Sequence, residues 1–241
     1  MSEIDQKKRW QIIFRDMGLY NNLIDGDWGN GSKAAHQEAM KRGIVGENIF
    51  DLPICFSNKV QPDFITKTID ISNALKMNQA GPDQLMACMG WESGETFSPS
   101  IRNGAGSGAT GLIQFMPFVA LTFFYSQKDI KKMSKEEKKI KGKECCDVLA
   151  AMTAVEQLDK VYEYFKPYTG KIDSLADVYM CILYPVAVGK PLDYVLFDKA
   201  KSEIAYRQNV GIDINKDSKC TKGEAATKVT EKMIRGFKLL K

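Results

Sequence analysis

The chain has 241 residues, of which 44% are hydrophobic, and its 34 Lys and Arg residues exceed its 30 Asp and Glu residues, for a net charge of +4. This near-average composition excludes a collagen, a coiled coil or a broadly disordered chain, and the length predicts one or two domains. The single histidine argues against zinc hydrolases and against Ser-His-Asp and Cys-His enzymes, which leaves carboxylate chemistry as the common hydrolytic class.

The first part of the chain has the pattern of a small helical unit. Apolar residues at helical spacing predict a first helix that ends at Gly18. This stripe consists of Trp10, Ile13, Phe14 and Met17. A turn-rich stretch follows, and Ser32 is the predicted N-cap of a second helix that runs to Gly43. Proline and polar residues then indicate a linker over 53–62.

From about residue 63 onward the pattern is helical almost throughout. One helix is predicted over 145–165 and another over 175–184, and no segment alternates as a strand would. The fold class predicted is therefore all-α, meaning mostly helical. The six cysteines form no CxxC pair and lie mostly in apolar stretches, so we expect reduced, buried thiols.

Residues 128–143 concentrate positive charge. Eight lysines stand against Asp129, Glu136 and Glu137, a local excess of +5. Two interpretations are open: a solvated helical face, or a patch that attracts an anionic polymer or lipid headgroups. We favour the solvated face at this stage, because most basic runs have that role.

A carboxylate near position 90 has the setting of a general acid. Pro82 suits the first turn of a helix and Gly94 its C-terminal stop. Within this helix Glu92 continues an apolar stripe formed by Leu85, Cys88 and Met89. Apolar surroundings disfavour the charged form of a carboxyl group, so its pKa should rise and it can hold a proton near neutral pH. The alternative is an ordinary ion-paired or helix-terminal glutamate.

The segments that follow resemble a known superfamily. Glu92-Ser93-Gly94, a Gly/Ser loop over 102–108 and the run Gly-Leu-Ile-Gln-Phe-Met-Pro over 111–117 are similar to soluble lytic transglycosylases and goose-type lysozymes. The resemblance covers roughly residues 70–200 and implies that Glu92 is the catalytic acid and base. The substrate-binding residues implied in the same way are Gln114, Tyr184, Asn103, Ser93 and Phe115. Asn103 stands where many members carry Ser, and Pro185 replaces an Asn of the family pattern.

The N-terminal unit carries a second resemblance. The runs Met-Gly-Leu-Tyr over 17–20, Ile-Asp-Gly-Asp-Trp-Gly over 24–29 and Ser-Lys-Ala-Ala over 32–35 are similar to small three-helix peptidoglycan-binding domains. That resemblance implies that Tyr20, Asp25 and Trp28 contact the cell wall. The alternative is that Ile24 and Trp28 are core residues and the glycines only form turns.

Together the two resemblances give the layout of a modular bacteriophage endolysin. They imply a peptidoglycan-binding domain over 1–52, a linker over 53–62 and a lysozyme-like catalytic domain over 63–241. The implied reaction is cleavage of the β-1,4 bond between N-acetylmuramic acid and N-acetylglucosamine. The outcome can be a 1,6-anhydro product or simple hydrolysis, and a second carboxylate remains unassigned because Glu95 cannot be placed. The alternative function is a non-catalytic wall-binding or virion-associated protein.

The partners and location follow from the same resemblance. We expect the protein to bind glycan strands and peptide stems, to bind no nucleic acid and to be a monomer. The longest apolar stretch, residues 111–125, is too short to span a bilayer, and the first ten residues lack the apolar core of a secretory signal. We therefore expect synthesis in the host cytoplasm and action on the wall from the periplasm.

A segment near the C-terminus has the spacing of an EF-hand loop. Residues 213–224 place ligand-type residues at positions 1, 3, 5, 7, 9 and 12 of such a loop. These residues are Asp213, Asn215, Asp217, Lys219 through its carbonyl, Thr221 and Glu224. Ser218 stands where the loop normally has Gly, at a turn with positive φ. The alternatives are a structural Ca²⁺ ion or a metal-free loop with Asx turns, and the predicted reaction requires no cofactor.

Overall fold

A computed structural model describes residues 1–104 and 106–240. The part of the chain that it describes is mostly helical, which confirms the predicted class. The helices are α1 Glu3–Asp16, α2 Asn30–Lys41, α3 Pro62–Ala74, α4 Gly81–Glu92, α5 Pro117–Phe124, α6 Gln127–Lys132, α7 Lys135–Ala151, α8 Ala154–Phe165, α9 Leu175–Leu183, α10 Glu203–Asn209 and α11 Lys222–Lys238. Strands β1 Val195–Asp198 and β2 Lys219–Thr221 pair antiparallel. Ala105 in the predicted loop and Lys241 at the end of the predicted catalytic domain lie outside the described residues.

Helix α4 occupies the centre of the fold. Its first ten residues are all buried, and α3, α9 and α11 pack around it. A helix that is buried on every side must be mostly apolar, and its buried polar groups need partners. Gly90 of α4 and Gly236 of α11 both face the ring of Phe56, where a Cβ atom would approach ring carbons at 3.0 Å and 2.7 Å. These two glycines allow one aromatic ring to fill the space between the helices.

The N-terminal helix joins the same hydrophobic core. The Trp10 ring centroid lies 5.1 Å from that of Phe237 in α11. Arg9 donates to both carboxylate oxygens of Asp83 in α4, at 2.8 Å and 2.9 Å, and to two backbone carbonyls of the chain that follows α2. A buried bidentate pair of this kind fixes orientation as well as charge. The predicted domain boundaries at residues 52 and 63 stay a prediction.

Several local predictions need correction. Residues 1–52 contain two α-helices and not three. Helix α2 begins at Asn30 with Gly29 as its N-cap, and Ser32 lies inside the first turn, where its hydroxyl donates to the Asp27 carbonyl. The helix predicted over 145–165 is two helices, because Thr153 forms a capping box that starts α8. The strands β1 and β2 were not predicted because they are too short to show alternation.

Two expectations about composition can be compared with the structure. All six cysteines are free and buried, as expected. Burial raises the pKa of the Cys55 and Cys88 thiols, so neither is an activated nucleophile. Across residues 1–104 and 106–240, no helix combines the length and the apolar character that crossing a membrane requires.

Candidate active site

Glu92 lies in an open pocket together with two of the residues predicted to bind substrate. The pocket has a volume of about 310 Å³. Its lining consists of Trp91, Glu92, Ile101, Arg102, Asn103, Gly104 and Gln114. The structure therefore brings Glu92, Gln114 and Asn103 together, although up to 22 positions separate them in the sequence.

The position of Glu92 follows from the way α4 ends. Glu92 is the last residue of α4, and Gly94 then takes a φ of +59°, which turns the chain away. Leu85, Cys88 and Met89 hold the preceding turns in the core. The helix thus carries its terminal carboxyl group from the apolar interior to the edge of the pocket.

The electrostatic setting of Glu92 is that of a general acid. The Glu92 carboxyl group has no hydrogen bond and no ion pair among residues 1–104 and 106–240. Burial, without compensation from a nearby cation, raises its pKa to about 7. Near neutral pH, a substantial fraction of the molecules therefore carries a proton on this side chain, available for transfer.

The other wall of the pocket comes from the residues around Arg102 and Gln114. Bridges join Arg102 to Thr110 and Thr110 to Phe115, which brings the two ends of the loop together. Gln114 has a φ of +54°, and its Nε2 donates to the Gly111 carbonyl at 3.1 Å. A left-handed backbone at a residue other than Gly costs energy, so the surrounding contacts impose this conformation.

A buried glutamine that sequence reasoning missed supports this wall. Gln157 of α8 accepts a hydrogen bond from the Leu112 N–H at 2.8 Å through Oε1. Its Nε2 donates to the carbonyls of Pro99 and Leu149 at 3.0 Å and 2.8 Å. Gly111 lies directly against this amide and leaves no space for a Cβ atom. The sequence gives no local signal for this contact because 45 positions separate Gln157 from Leu112.

Two residues predicted to bind substrate lie in the interior instead. Ser93 is fully buried, and its hydroxyl donates to the Met89 carbonyl at 2.6 Å and accepts from the Phe97 N–H. Phe115 is 2% exposed, and its ring packs against Phe123. Neither side chain offers a surface to a glycan in this structure, because each completes the packing behind the pocket.

Tyr184 lies in a different pocket from Glu92. It lines a cavity of about 350 Å³ beside β1, and its ring centroid is 5.4 Å from that of Phe197. Two other tyrosines, Tyr164 and Tyr179, interact electrostatically with Glu92. Burial and then the Glu92 charge raise the pKa of Tyr179, so it stays a neutral phenol. The sequence pattern did not single out either residue.

Glu95 does not supply a second acid to this pocket. Its carboxylate accepts from Lys232 Nζ at 2.5 Å and from Arg235 Nε at 2.7 Å, both on α11. Burial alone would raise the pKa of Glu95, but the hydrogen bonds from Arg235 and Lys232 bring it below the usual value. The group is therefore a structural anion that ties the end of α4 to α11.

The C-terminal loop uses its carboxylates as hydrogen-bond acceptors. Asp213 accepts from the Tyr206 hydroxyl at 2.6 Å and from the Ser218 N–H at 3.0 Å. Glu224 accepts from three backbone N–H groups of the loop, those of Ile214, Asn215 and Thr221, and from the Thr221 hydroxyl. Ser218 has a φ of +69°, the left-handed turn that the EF-hand spacing requires.

Metal binding by this loop stays a prediction. Within the described residues, no group of three or more His, Cys, Asp or Glu side chains is arranged to hold a metal ion. Asn215 and Asp217 form an Asx turn, since the Asn215 side-chain oxygen accepts from the Asp217 N–H at 2.9 Å. Lys219 and Thr221 belong to β2.

The N-terminal motif is organised around another glutamine that the sequence pattern did not reveal. Gln11 is fully buried, and its Nε2 lies within hydrogen-bond distance of Asp25 Oδ1, the Asp27 carbonyl and the Tyr20 hydroxyl. Its Oε1 accepts from the Gly26 N–H at 2.9 Å. One buried amide thus fixes the whole turn-rich loop.

The three predicted wall-binding residues differ in exposure. Tyr20 is buried, and its hydroxyl donates to the Leu23 carbonyl. Trp28 is partly buried, with its ring centroid 4.9 Å from that of Phe50. Asp25 is exposed. Tyr20 and most of the Trp28 side chain are therefore packed in the core, while Asp25 and the rest of Trp28 are exposed to solvent.

A larger cavity lies between α1, α9 and α11, with a volume of about 740 Å³. Its buried charged side chains already have partners: Lys222 Nζ donates to Asp177 at 2.6 Å and to the carbonyls of Ala187 and Lys190. Burial raises the pKa of Asp16 there to about 6, and Gln84 Nε2 donates to it at 2.7 Å. These are contacts that join helices, so the smaller pocket at Glu92 is the better candidate for chemistry.

No protein-family model and no curated protein matches this chain. The motifs around Glu92 and the geometry of its pocket are therefore the features that point to a function.

Proposed function

We propose that this protein is a peptidoglycan-cleaving muramidase that cuts the β-1,4 bond between N-acetylmuramic acid and N-acetylglucosamine. The observation that supports it most strongly is the unpaired Glu92 carboxyl group, with a pKa of about 7, at the edge of a pocket shared with Gln114 and Asn103. The amide groups of Gln114 and Asn103 are suited to hydrogen-bond with sugar hydroxyl and acetamido groups.

The proposed reaction uses Glu92 twice. Protonated Glu92 gives its proton to the glycosidic oxygen, and the C–O bond to the leaving sugar breaks. The carboxylate that remains takes a proton from the muramyl 6-hydroxyl, whose oxygen closes on the anomeric carbon to give a 1,6-anhydro sugar. If a water molecule attacks instead, the same carboxylate accepts its proton and the product has a reducing end.

Of these two outcomes, we propose the lytic transglycosylase reaction. A two-carboxylate mechanism needs a second acid about 5–9 Å from the first. Glu92 is the one carboxylate among the lining residues, all of which are described, and Glu95 is held by two cations of α11. Intramolecular attack by the 6-hydroxyl requires no second carboxylate.

Mass spectrometry of the fragments released from purified Gram-negative peptidoglycan tests this proposal. Wild type, Glu92→Gln and the matched control Glu95→Gln are compared. Anhydro-muropeptides that disappear only with Glu92→Gln would support the transglycosylase, whereas reducing-end products with the same dependence would show a lysozyme. If the folded wild type binds the wall but releases nothing, the alternative of a wall-binding or virion-associated protein is correct.

The remaining expectations follow from the same proposal. The N-terminal segment would hold the wall through the exposed parts of its turn-rich loop, Asp25 and Trp28 among them. The partners would be glycan strands and peptide stems, and a monomer working at the periplasmic wall would suffice, as in a modular phage endolysin. A Ca²⁺ ion in the 213–224 loop would be structural and would take no part in bond cleavage.

A further inference from the structure

The strongest unassigned feature is a surface that we call the lysine lobe, residues 116–143. It comprises α5, α6 and the first half of α7. None of its eight lysines forms an ion pair with a described residue. Two of its three acids accept hydrogen bonds at helix N-caps, Asp129 from the Ser126 hydroxyl and Glu137 from the Ser134 N–H. These carboxylates keep their charge, and the eight lysines still leave the lobe with a net charge of +5.

The fold brings the lysines beside α5. Gly142 of α7 faces Pro117 at the start of α5, where a Cβ atom would lie 2.9 Å from the Pro117 carbonyl oxygen. One turn further along α7, the Cys146 thiol points to the Phe115 carbonyl at 3.8 Å. The two helices are thus antiparallel, and the lysine-bearing first half of α7 runs along α5. Lys141 Nζ accordingly lies 5.4 Å from the centre of the Tyr125 ring.

The lobe is polarised. In α7, the spacing of Lys135 and Lys138 relative to Gly142 places them on the side that faces α5. Glu136, Ile140 and Glu144 follow one another at intervals of four and lie on the other side of the helix. Glu136 and Glu144 therefore lie away from Lys135 and Lys138, whereas Glu137 interacts electrostatically with Lys141.

The same surface exposes large apolar side chains. Phe118 is 68% exposed and Phe124 40% exposed, and no other described phenylalanine is exposed. Met116, directly before α5, is 37% exposed. Several large apolar side chains exposed on and next to one short helix, beside a basic segment, favour an interaction surface over an ordinary solvated face.

We propose that the lysine lobe binds a bilayer surface rich in anionic lipid headgroups. Lysines attract the headgroup phosphates, and Phe118, Phe124 and Met116 can enter the boundary between headgroups and acyl chains. A nucleic acid would also attract the lysines, but the aliphatic side chain of Met116 gains little from it. The lobe is on different elements from the Glu92 pocket, so this activity does not depend on the proposed cleavage reaction.

Vesicle flotation of the full chain tests the charge component. Vesicles of phosphatidylglycerol and phosphatidylcholine are compared with vesicles of phosphatidylcholine alone. The variant Lys131→Gln/Lys132→Gln/Lys135→Gln/Lys139→Gln should bind anionic vesicles roughly 1,000-fold more weakly. The control Lys33→Gln/Lys41→Gln/Lys199→Gln/Lys201→Gln removes as much charge from exposed lysines elsewhere and should bind like wild type. Thermal melts verify that both variants are folded.

A second pair of variants tests the apolar component. Phe118→Ser/Phe124→Ser should weaken vesicle binding about tenfold, whereas Leu23→Ser/Ile204→Ser, at two sites at least as exposed, should not change it. Glu92→Gln should bind vesicles like wild type. The proposal is overturned if wild type does not bind anionic vesicles, or if the folded lysine variant binds them normally. It is also overturned if single-stranded RNA binds as tightly as vesicles and the phenylalanine variant leaves both affinities unchanged.

Discussion

Two regions of the molecule have carboxylates that the sequence singled out, the end of α4 and the 213–224 loop. The two regions differ in the hydrogen-bond donors that the fold supplies to these carboxylates. At the end of α4, Glu92 has no donor among the described residues, and burial raises its pKa to about 7. In the 213–224 loop, the hydrogen bond from Tyr206 and those from three backbone N–H groups lower the pKa of Asp213. The pKa of Glu224 is also lowered, because the hydrogen bonds from Thr221 and from the backbone N–H groups of Asn215 and Ile214 outweigh the effect of burial. A carboxyl group without a hydrogen-bond donor can exchange a proton near neutral pH, whereas a carboxylate that accepts several hydrogen bonds stays charged and stabilises its loop.

The largest expected effect is on catalysis. Glu92→Gln keeps the shape of the side chain but removes the exchangeable proton, so turnover of peptidoglycan should fall about 1,000-fold or more. Glu95→Gln, three positions away, should retain most of the activity because Glu95 contacts α11 and not the pocket. Release of muropeptides by equal amounts of folded protein measures both. Near-normal activity of Glu92→Gln would remove the assignment.

Glu92 and the carboxylates of the 213–224 loop should contribute to the pH dependence of protein stability with opposite signs. Its pKa is about 7 in the folded chain against an ordinary value of 4.5, so the folded state holds more protons between these values and stability falls as pH rises. The full penalty above pH 7 is roughly 3 kcal/mol, since one pKa unit corresponds to about 1.4 kcal/mol. Glu92→Gln should therefore melt higher than wild type at pH 8 and at the same temperature at pH 4. An equal difference at both pH values would contradict this account.

How much of each region the sequence could predict depends on the range of the interactions. The helical stripe of Leu85, Cys88 and Met89 placed Glu92 correctly, because periodicity within one helix is local information. The spacing of the C-terminal loop also predicted the left-handed turn at Ser218, which the structure contains. Both features depend on residues within one turn or one loop.

The sequence could not predict the long-range contacts that determine the surroundings of Glu92 and Glu95. Gln157, which holds the loop facing Glu92, is 45 positions from Leu112, and Lys232, which neutralises Glu95, is 137 positions away. Neither contact leaves a periodic or spacing signal in a single sequence. The resemblance implied that Ser93 contacts substrate, whereas in the fold its hydroxyl is buried. Tertiary packing determines this burial, so the sequence alone did not reveal it.

A smaller effect of opposite sign should appear at Glu224. Its pKa is below 4.5 in the folded chain, so its contribution to stability is complete above the ordinary value and is lost as pH falls through the lowered one. Glu224→Gln weakens the capping box of α11 and should cost about 1 kcal/mol at pH 7. The difference from wild type should shrink toward pH 3.5. Urea denaturation at the two pH values measures it, and a constant difference would argue against the lowered pKa.

The smallest expected effect is that of calcium. An ion in the 213–224 loop would compete with the backbone N–H groups that now use the oxygens of Asp213 and Glu224, so its affinity should be modest. At about ten times its dissociation constant it would stabilise the fold by only about 1.4 kcal/mol. Millimolar calcium should then raise the melting temperature by a few degrees, with no change in activity. Asp217→Asn keeps a side chain that can form the Asx turn but removes one charge, so it should abolish the shift. If calcium does not move the melting temperature of wild type, hydrogen bonds alone hold this loop, and the contrast with Glu92 becomes one between a proton donor and a purely structural set of acceptors.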